Sequence, residues 1–212
     1  KIRKLGREGV YYKHLAYDCN IPGIKKVAFH EESGTAQWLV ISMKKTYSTQ
    51  PWQALHATFA IDPMNCKMII AVDDDIDPED VDAVIWAMSF GMQPHRDVQI
   101  CGGKTASMDP SAIPPGEEAK LKVERPPTSS MLIDATRKWA YPPVALPRKE
   151  FMERARKIWE EEGLPKLSPK SLWYGYSLGD WSEENAEEAE LALRGDHYQT
   201  GEKIARQERV KS

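Results

Sequence analysis

Apolar and polar positions change their spacing several times along the chain, and each change marks an element. Lys25 to His30 (Lys-Lys-Val-Ala-Phe-His) and Ala36 to Lys44 are short runs rich in β-branched and aromatic residues. Glu31-Glu32-Ser33-Gly34-Thr35 separates them, so the pair predicts a β-hairpin. Gln50 to Ile61 shifts to helical spacing, with Pro51 suited to the first helical position and Trp52, Leu55 and Phe59 on one face. Asp62-Pro63 ends that helix. Met68 to Val72 is apolar throughout and too short for a helix; its Ile and Val content predicts a strand covered on both faces. Val81, Val84, Ile85 and Met88 then recur at helical spacing up to a stop at Gly91.

Upstream, Lys1 to Leu5 reads as the end of a helix stopped by Gly6, and Val10 to Cys19 as a further helical turn or two. Downstream, Gln93 to Arg96 is a loop, Asp97 to Cys101 a short strand, and Gly102 to Ser130 an irregular stretch rich in Gly, Pro and Ser. A loop of that length inside a compact domain is usually functional or mobile. Met131 to Ala135 is another strand. Pro147 to Glu162 is a helix with Phe151, Ala155, Ile158 and Trp159 on its apolar face, supported by Glu150 with Arg154 and Glu153 with Lys157, and stopped by Gly163. Leu164 to Gly179 is a loop, Ser182 caps an acidic helix ending at Gly195, and Gly201 to Ser212 is a charged tail with helical character. Strands alternating with helices from Lys25 to Ala135 predict an α/β, Rossmann-like three-layer domain with a mainly parallel sheet. That domain is placed at 1–163 and a C-terminal helical tail at 164–212. Trp159, Trp173 and Trp181 in the tail region need burial, either on a partner subunit or on the chain's own core.

Composition narrows the classes. Hydrophobic residues at 41% of 212 suffice for a core, and a net charge of -3 gives no sign of a nucleic-acid binder. Cys19, Cys66 and Cys101 are odd in number and widely spaced, which argues against a disulfide framework and for a reducing cytoplasm. No apolar run reaches the length of a membrane span. The opening Lys-Ile-Arg-Lys-Leu-Gly has neither an initiator Met nor a following apolar region, so the chain is expected to begin inside a longer protein.

The densest chemistry is acidic. Asp73, Asp74, Asp75, Asp77, Glu79, Asp80 and Asp82 stand between the apolar strand and the helix that follows it. A strand, an acidic turn and a helix form half a βαβ unit, and such sheets build sites at the carboxyl end of a strand. Hard cations take oxygen ligands, so the run Asp73 to Asp77 could serve a Mg²⁺-dependent phosphoryl-transfer protein. The plainer reading has Asp77 capping the helix ahead of Pro78, Glu79 and Asp80 favouring its dipole, and the other acids solvated; it is preferred because caps and dipole acids are common at helix starts. Elsewhere there is no GxSxG, no HExxH and no Walker-type loop. Gly102-Gly103-Lys104-Thr105 superficially resembles a phosphate loop, but no amphipathic helix follows it. His30 and His56 read as surface or packing histidines, and Lys44-Lys45 as solvated at a strand end.

Six stretches in order carry a family resemblance: Ile41 to Tyr47, Val72 to Pro78, Val84 to Met88 (Val-Ile-Trp-Ala-Met), Pro94 to Val98, Met108 to Ser111 and Leu132 to Thr136. Over about Lys1 to Gly163 the chain resembles the C-terminal part of the UbiD family of decarboxylases. The resemblance implies reversible decarboxylation of an aromatic, heteroaromatic or α,β-unsaturated carboxylic acid through an adduct with prenylated FMN. It also implies that the flavin, a divalent metal (Mn²⁺ or Mg²⁺) and K⁺ sit on an N-terminal split-barrel domain, with the family's catalytic Arg and paired Glu. No segment here resembles that barrel, so no catalytic, cofactor or metal residue is assigned in this chain. In the family the C-terminal domain closes over the cofactor domain and mediates oligomerisation, which implies a homo-oligomer (dimer or hexamer) and an N-terminal cofactor domain or subunit as partner. Two of its segments approach the small-molecule acid; carried over, they nominate Asn65, Lys67, Ser107 and Met108 as substrate-proximal.

Overall fold

In the computed structural model, residues 2–105, 109–116, 124, 126–139, 141, 147, 149–167 and 183–209 are described. One sheet holds β1 (Ile24–Phe29), β2 (Trp38–Met43), β3 (Met68–Asp73), β4 (Val98–Thr105) and β5 (Pro127–Asp134), in the order β1-β2-β3-β5-β4. The hairpin forms where its two apolar runs predict it, with Val27 opposite Ile41 and Phe29 opposite Leu39. β2 with β3 and β3 with β5 are parallel, whereas β4 runs antiparallel to β5. The sheet is therefore mixed, three parallel central strands flanked by two antiparallel edges, and not mainly parallel as the alternation of elements predicts. The connections explain the difference. The turn between β1 and β2 is too short for a crossover, so those strands pair antiparallel, and β4 returns antiparallel along β5.

β3 lies in the middle, and Ile69, Ile70, Ala71 and Val72 are fully buried. Side chains alternate across the pleat, so Leu39, Ile41, Ile69 and Leu132 face α1 (Ile2–Lys13) and α2 (Gln50–Ile61). Val40, Ile70, Val72 and Ile133 pack with α3 (Val81–Phe90) on the other face. α1 continues through Gly6 instead of stopping there. Tertiary contacts hold it: Tyr11 packs edge-on against Phe29 with ring centroids 5.2 Å apart, and the Glu8 carboxylate accepts the Phe29 N–H at 2.8 Å. Such contacts override the modest helix penalty of a glycine.

α3 starts three residues later than its sequence suggests. Asp80, not Asp77, is the cap, and its Oδ1 accepts the N–H groups of Asp82 (3.1 Å) and Ala83 (3.2 Å). Asp77 instead closes a local turn by accepting the Glu79 N–H at 3.1 Å. At the far end Gly91 stops the helix because a side chain would not fit. A Cβ there would lie 2.4 Å from the Ala135 carbonyl oxygen and 2.6 Å from that of Ala87. α4 (Pro94–Asp97) is a single turn leading into β4.

The chain divides into two compact units, Lys1–Ala140 with Lys166–Tyr176, and Tyr141–Pro165 with Ser177–Ser212. The second unit contains α5 (Lys149–Glu161), α6 (Glu183–Arg194) and α7 (Tyr198–Arg209). α5 carries the ion pairs Arg156–Glu160 and Lys157–Glu161, and the Trp159 indole N–H donates to the Pro165 carbonyl at 2.7 Å. Phe151, Ile158 and Leu193 remain exposed. Among the described residues no helix is long and apolar enough to cross a membrane.

Candidate functional site

The two ends of the parallel strands differ in character. At the carboxyl end, a chain of ion pairs closes the space between β3 and β5. Asp73 Oδ2 accepts the backbone N–H of Arg137 at 2.7 Å and its Nε at 3.2 Å, while Arg137 Nη2 donates to Asp75 Oδ2 at 2.7 Å. Lys45 donates to the Thr136 hydroxyl at 2.8 Å and to the Arg137 carbonyl, so it is not a solvated strand-end lysine. Lys138 bridges to Asp134 at 3.0 Å and to Asp97 at 3.7 Å, and Asp97 also holds Arg96 at 2.9 Å. Burial pushes the Asp75 carboxyl up, opposed by Arg137; burial likewise pushes the Lys45 amine down.

Two further acids of the run are tied elsewhere. Glu79 accepts Lys26 at 2.7 Å and Lys4 at 3.0 Å, which holds its carboxyl down at about 2, and Lys26 also reaches Asp77 at 3.1 Å. Asp73 and Asp75 are thus anchored to Arg137, and Asp77 and Glu79 to Lys26 and Lys4, which corrects the expectation of solvated acids at Asp73 and Asp75, while Asp74 is exposed. The sequence signal for this was available only in part, because nothing marks Arg137, more than sixty residues away, as the partner of Asp73. Among the described residues no group of three or more His, Cys, Asp or Glu converges on a point able to hold a metal ion.

The amino end of the same strands is open. A polar cleft of about 290 Å³ lies there, lined by Gln37, Met64, Asn65, Lys67, Lys104, Asp109, Ser111, Ala112 and Pro127 to Ser130. Its floor is the segment that turns into β3. The Asp62 carboxylate accepts the N–H groups of Met64 at 2.7 Å and Asn65 at 3.1 Å. Cys66 then adopts φ 63°, an uncommon left-handed conformation for a residue with a side chain. Backbone bonds hold it there: the Cys66 N–H donates to the Ala36 carbonyl at 2.8 Å, the Ser130 hydroxyl to the Cys66 carbonyl at 2.6 Å, and the Met131 N–H to the Lys67 carbonyl at 2.8 Å. The Cys66 thiol points into the core against the Tyr11 hydroxyl (3.3 Å), and burial pushes it up to about 11, so it is an inert packing group. Asn65 and Lys67, on either side of it, line the cleft.

Two lysines there do different things. Lys104 is buried, donates to the carbonyls of Asp62 and of Asn65 (3.0 Å), and sits 4.8 Å from the Phe59 ring centroid. Desolvation lowers its pKa, and its role is to brace the 62–65 turn. Lys67 keeps half of its side chain exposed and donates to Asp109 Oδ2 and to the Ser111 hydroxyl, both at 2.8 Å. Asp109 Oδ1 in turn accepts the Ser111 N–H at 2.9 Å and hydroxyl at 2.7 Å. The Lys67 ammonium and the Ser111 hydroxyl hold the Asp109 carboxyl below its usual range.

Of the residues nominated from the sequence, the structure brings Asn65 and Lys67 together in this cleft, and Ser107 and Met108 lie outside the described residues. Asp109, Ser111 and Lys104 also line the cleft; the sequence placed the first two in the Met108–Ser111 stretch of the resemblance and Lys104 in the phosphate-loop-like Gly102–Thr105, without the pairing to Lys67. For Asp109-Pro110-Ser111 a signal existed, since an Asp two residues before a Ser favours a side-chain-closed turn. Among its described lining residues the cleft has no aromatic ring and no arginine. A cleft of about 290 Å³ without an aromatic ring to stack on among its described lining does not fit a flavin ring. Asp109 is its only lining carboxylate among the described residues and is already paired, so it does not fit a divalent metal either. What the arrangement fits is a small polar molecule carrying an acid.

Known proteins resemble this chain in sequence and fold. The family description "3-octaprenyl-4-hydroxybenzoate carboxy-lyase C-terminal domain" matches residues 4–135. An uncharacterized protein of Archaeoglobus fulgidus is 30% identical over 153 residues, covering 68% of this chain and 28% of that protein. A phenolic acid decarboxylase of Bacillus subtilis is 36% identical over 72 residues, covering 34% of this chain and 13% of that protein. The fold matches that of the UbiD-class enzyme HmfF from Pelotomaculum thermopropionicum, solved in complex with FMN, with a TM-score of 0.54 and 23% identity over 84% of this chain and 33% of that one. The chain spans less than a third of the length of the first relatives it matches.

Proposed function

This chain belongs to the UbiD family through its 3-octaprenyl-4-hydroxybenzoate carboxy-lyase C-terminal domain, and from that premise we propose that it is the lid and oligomerisation part of a decarboxylase. The whole enzyme would act, reversibly, on an aromatic, heteroaromatic or α,β-unsaturated carboxylic acid. Prenylated FMN supplies the electron sink for that chemistry when bound; with its divalent metal and K⁺ it would be held by an N-terminal domain or subunit, as the family resemblance implies. The observation that carries this reading is the polar cleft at the amino end of the parallel strands. There Lys67, beside Asn65, keeps half of its side chain exposed at the entry to β3. A cation so placed attracts a carboxylate, and closing over it excludes water, which strengthens the attraction. Lys67 and Asn65, with Ser107 and Met108 from the loop beyond β4, would meet the substrate and tune which acid is accepted.

Assembly is part of the proposal. The second unit exposes Phe151, Ile158 and Leu193, apolar surface whose burial at roughly 25 cal/mol per Å² favours association with another copy. The test is reconstitution. A prenylated-FMN-loaded cofactor domain of this family should release carbon dioxide from a panel of aromatic and unsaturated acids only when this chain is fused or added. Light scattering should find more than one copy in the active species. Turnover equal with and without this chain, or an active monomer, would refute the reading.

A further inference from the structure

Lys67 is half-exposed, yet its ammonium is already engaged twice, by Asp109 and by Ser111. The same Asp109 carboxylate closes a tight local turn through the Ser111 N–H and hydroxyl, so the 109–111 segment presents a preformed anion to Lys67. Around this contact lie polar groups of another kind. The Gln37 amide and the Thr128 and Ser129 hydroxyls line the cleft, and none has a side-chain partner among the described residues. A resident carboxylate on the cation, with an amide and hydroxyls beside it, is the arrangement of a receptor closed by an internal mimic of its ligand.

We propose that Asp109 is an exchangeable latch: a small-molecule carboxylate entering the cleft displaces it from Lys67, and the freed 109–111 segment moves away from the bound acid. This deepens the proposed substrate role of Lys67, on which it rests, by naming what the acid competes with. The pairing is chemically balanced, since one carboxylate replaces another on the same ammonium and no proton changes hands. Lys67 has the exposure that makes exchange easy, because ion pairs in contact with water are weak. Asp109 stays ionised over the working pH range, as the Lys67 ammonium and the Ser111 hydroxyl hold its carboxyl low, so the competition persists at neutral pH. The amide and hydroxyls that line the cleft favour an acid that carries a second oxygen, such as a ring hydroxyl.

The experiment is binding of 4-hydroxybenzoate to the full chain without any flavin, followed by NMR at the Met64 methyl in the cleft wall, with 4-hydroxybenzamide as the uncharged control. Asp109→Asn should tighten 4-hydroxybenzoate by about three- to fivefold, the strength of a water-exposed ion pair read as affinity. Lys67→Gln should abolish binding in both backgrounds, Lys67→Arg should retain it, and the amide should not respond to either change. The latch is overturned if Asp109→Asn leaves the affinity unchanged, weakens it, or shows no binding at all in a folded chain. It is also overturned if the amide tightens in parallel. The decarboxylase reading fails by a different measurement, loss of turnover in the reconstituted enzyme, so the two can fail separately.

Discussion

Arg137→Met is the most informative single change at the carboxyl end of the sheet. It keeps the volume near Asp73 and Asp75 and the backbone N–H that Asp73 accepts, but removes the guanidinium that both carboxylates share. The side chains are partly shielded, with Arg137 30%, Asp73 14% and Asp75 17% exposed. Breaking a fully buried pair costs about 3–5 kcal/mol and a water-exposed one about 0.2–1 kcal/mol, so this intermediate site should lose about 2 kcal/mol. Amide hydrogen exchange of Ile70 in β3 and Ile133 in β5 reads the loss in the sheet unit alone.

The pH dependence of that loss is a second arm. Burial raises Asp75 above its unfolded value and Arg137 opposes the rise. A carboxyl with a raised folded-state pKa binds its proton more readily when folded, so it costs stability at neutral pH and that cost fades as pH falls through the raised value. Without Arg137 the pKa of Asp75 climbs further. The deficit of the variant should therefore be largest near neutral pH and smaller in mild acid, where a protonated Asp75 needs no cation. A loss under about 0.5 kcal/mol, the range of an ordinary surface change, would refute the reasoning, as would a deficit that grows in acid.

Two further outcomes test the elements that flank the acidic turn. Asp80→Ala should destabilise by about 1 kcal/mol as the loss of an N-cap, and Asp77→Ala by less, in thermal unfolding; the reverse order would restore the cap that the sequence suggests. Gly91→Ala should cost about 1–3 kcal/mol through overpacking against the Ala135 and Ala87 carbonyls, and a neutral or stabilised variant would show that the backbone there gives way.

The elements were legible where one local signal sufficed. The helix over Gln50–Ile61 and the strand from Met68 follow from period and composition, and α2 and β3 lie there. The direction of β4 was not legible, because parallel and antiparallel edges have the same local pattern. The cap at Asp80 was missed because Asp77-Pro78 is the stronger local signature; the competing demand is that Glu79 reach Lys26 and Lys4, which fixes the turn from outside. For the site, Asn65 and Lys67 came from resemblance and not from pattern. The pairing of Lys67 with Asp109 and Ser111 spans more than forty residues, a separation that no periodicity reports.

The placement of the cleft follows from the mixed sheet. In an open parallel sheet, loops at the carboxyl ends of the strands build the site. Here that end is closed: Arg137, beyond β5, pairs with Asp73 of β3, Lys45 reaches the Thr136 hydroxyl and the Arg137 carbonyl, and Lys138 binds Asp134 and Asp97. Because β4 runs against β5, its last residues, Lys104 and Thr105, arrive at the amino end beside Pro127 and Thr128. The Thr105 N–H then donates to the Pro63 carbonyl at 2.8 Å, and Lys104 braces the same turn from below. A parallel β4 would have delivered those residues to the opposite edge and left the entry to β3 without its brace. The antiparallel edge strand is thus what lets the segment before β3 hold Cys66 in a left-handed conformation and aim Lys67 into an open polar cleft, away from the locked end.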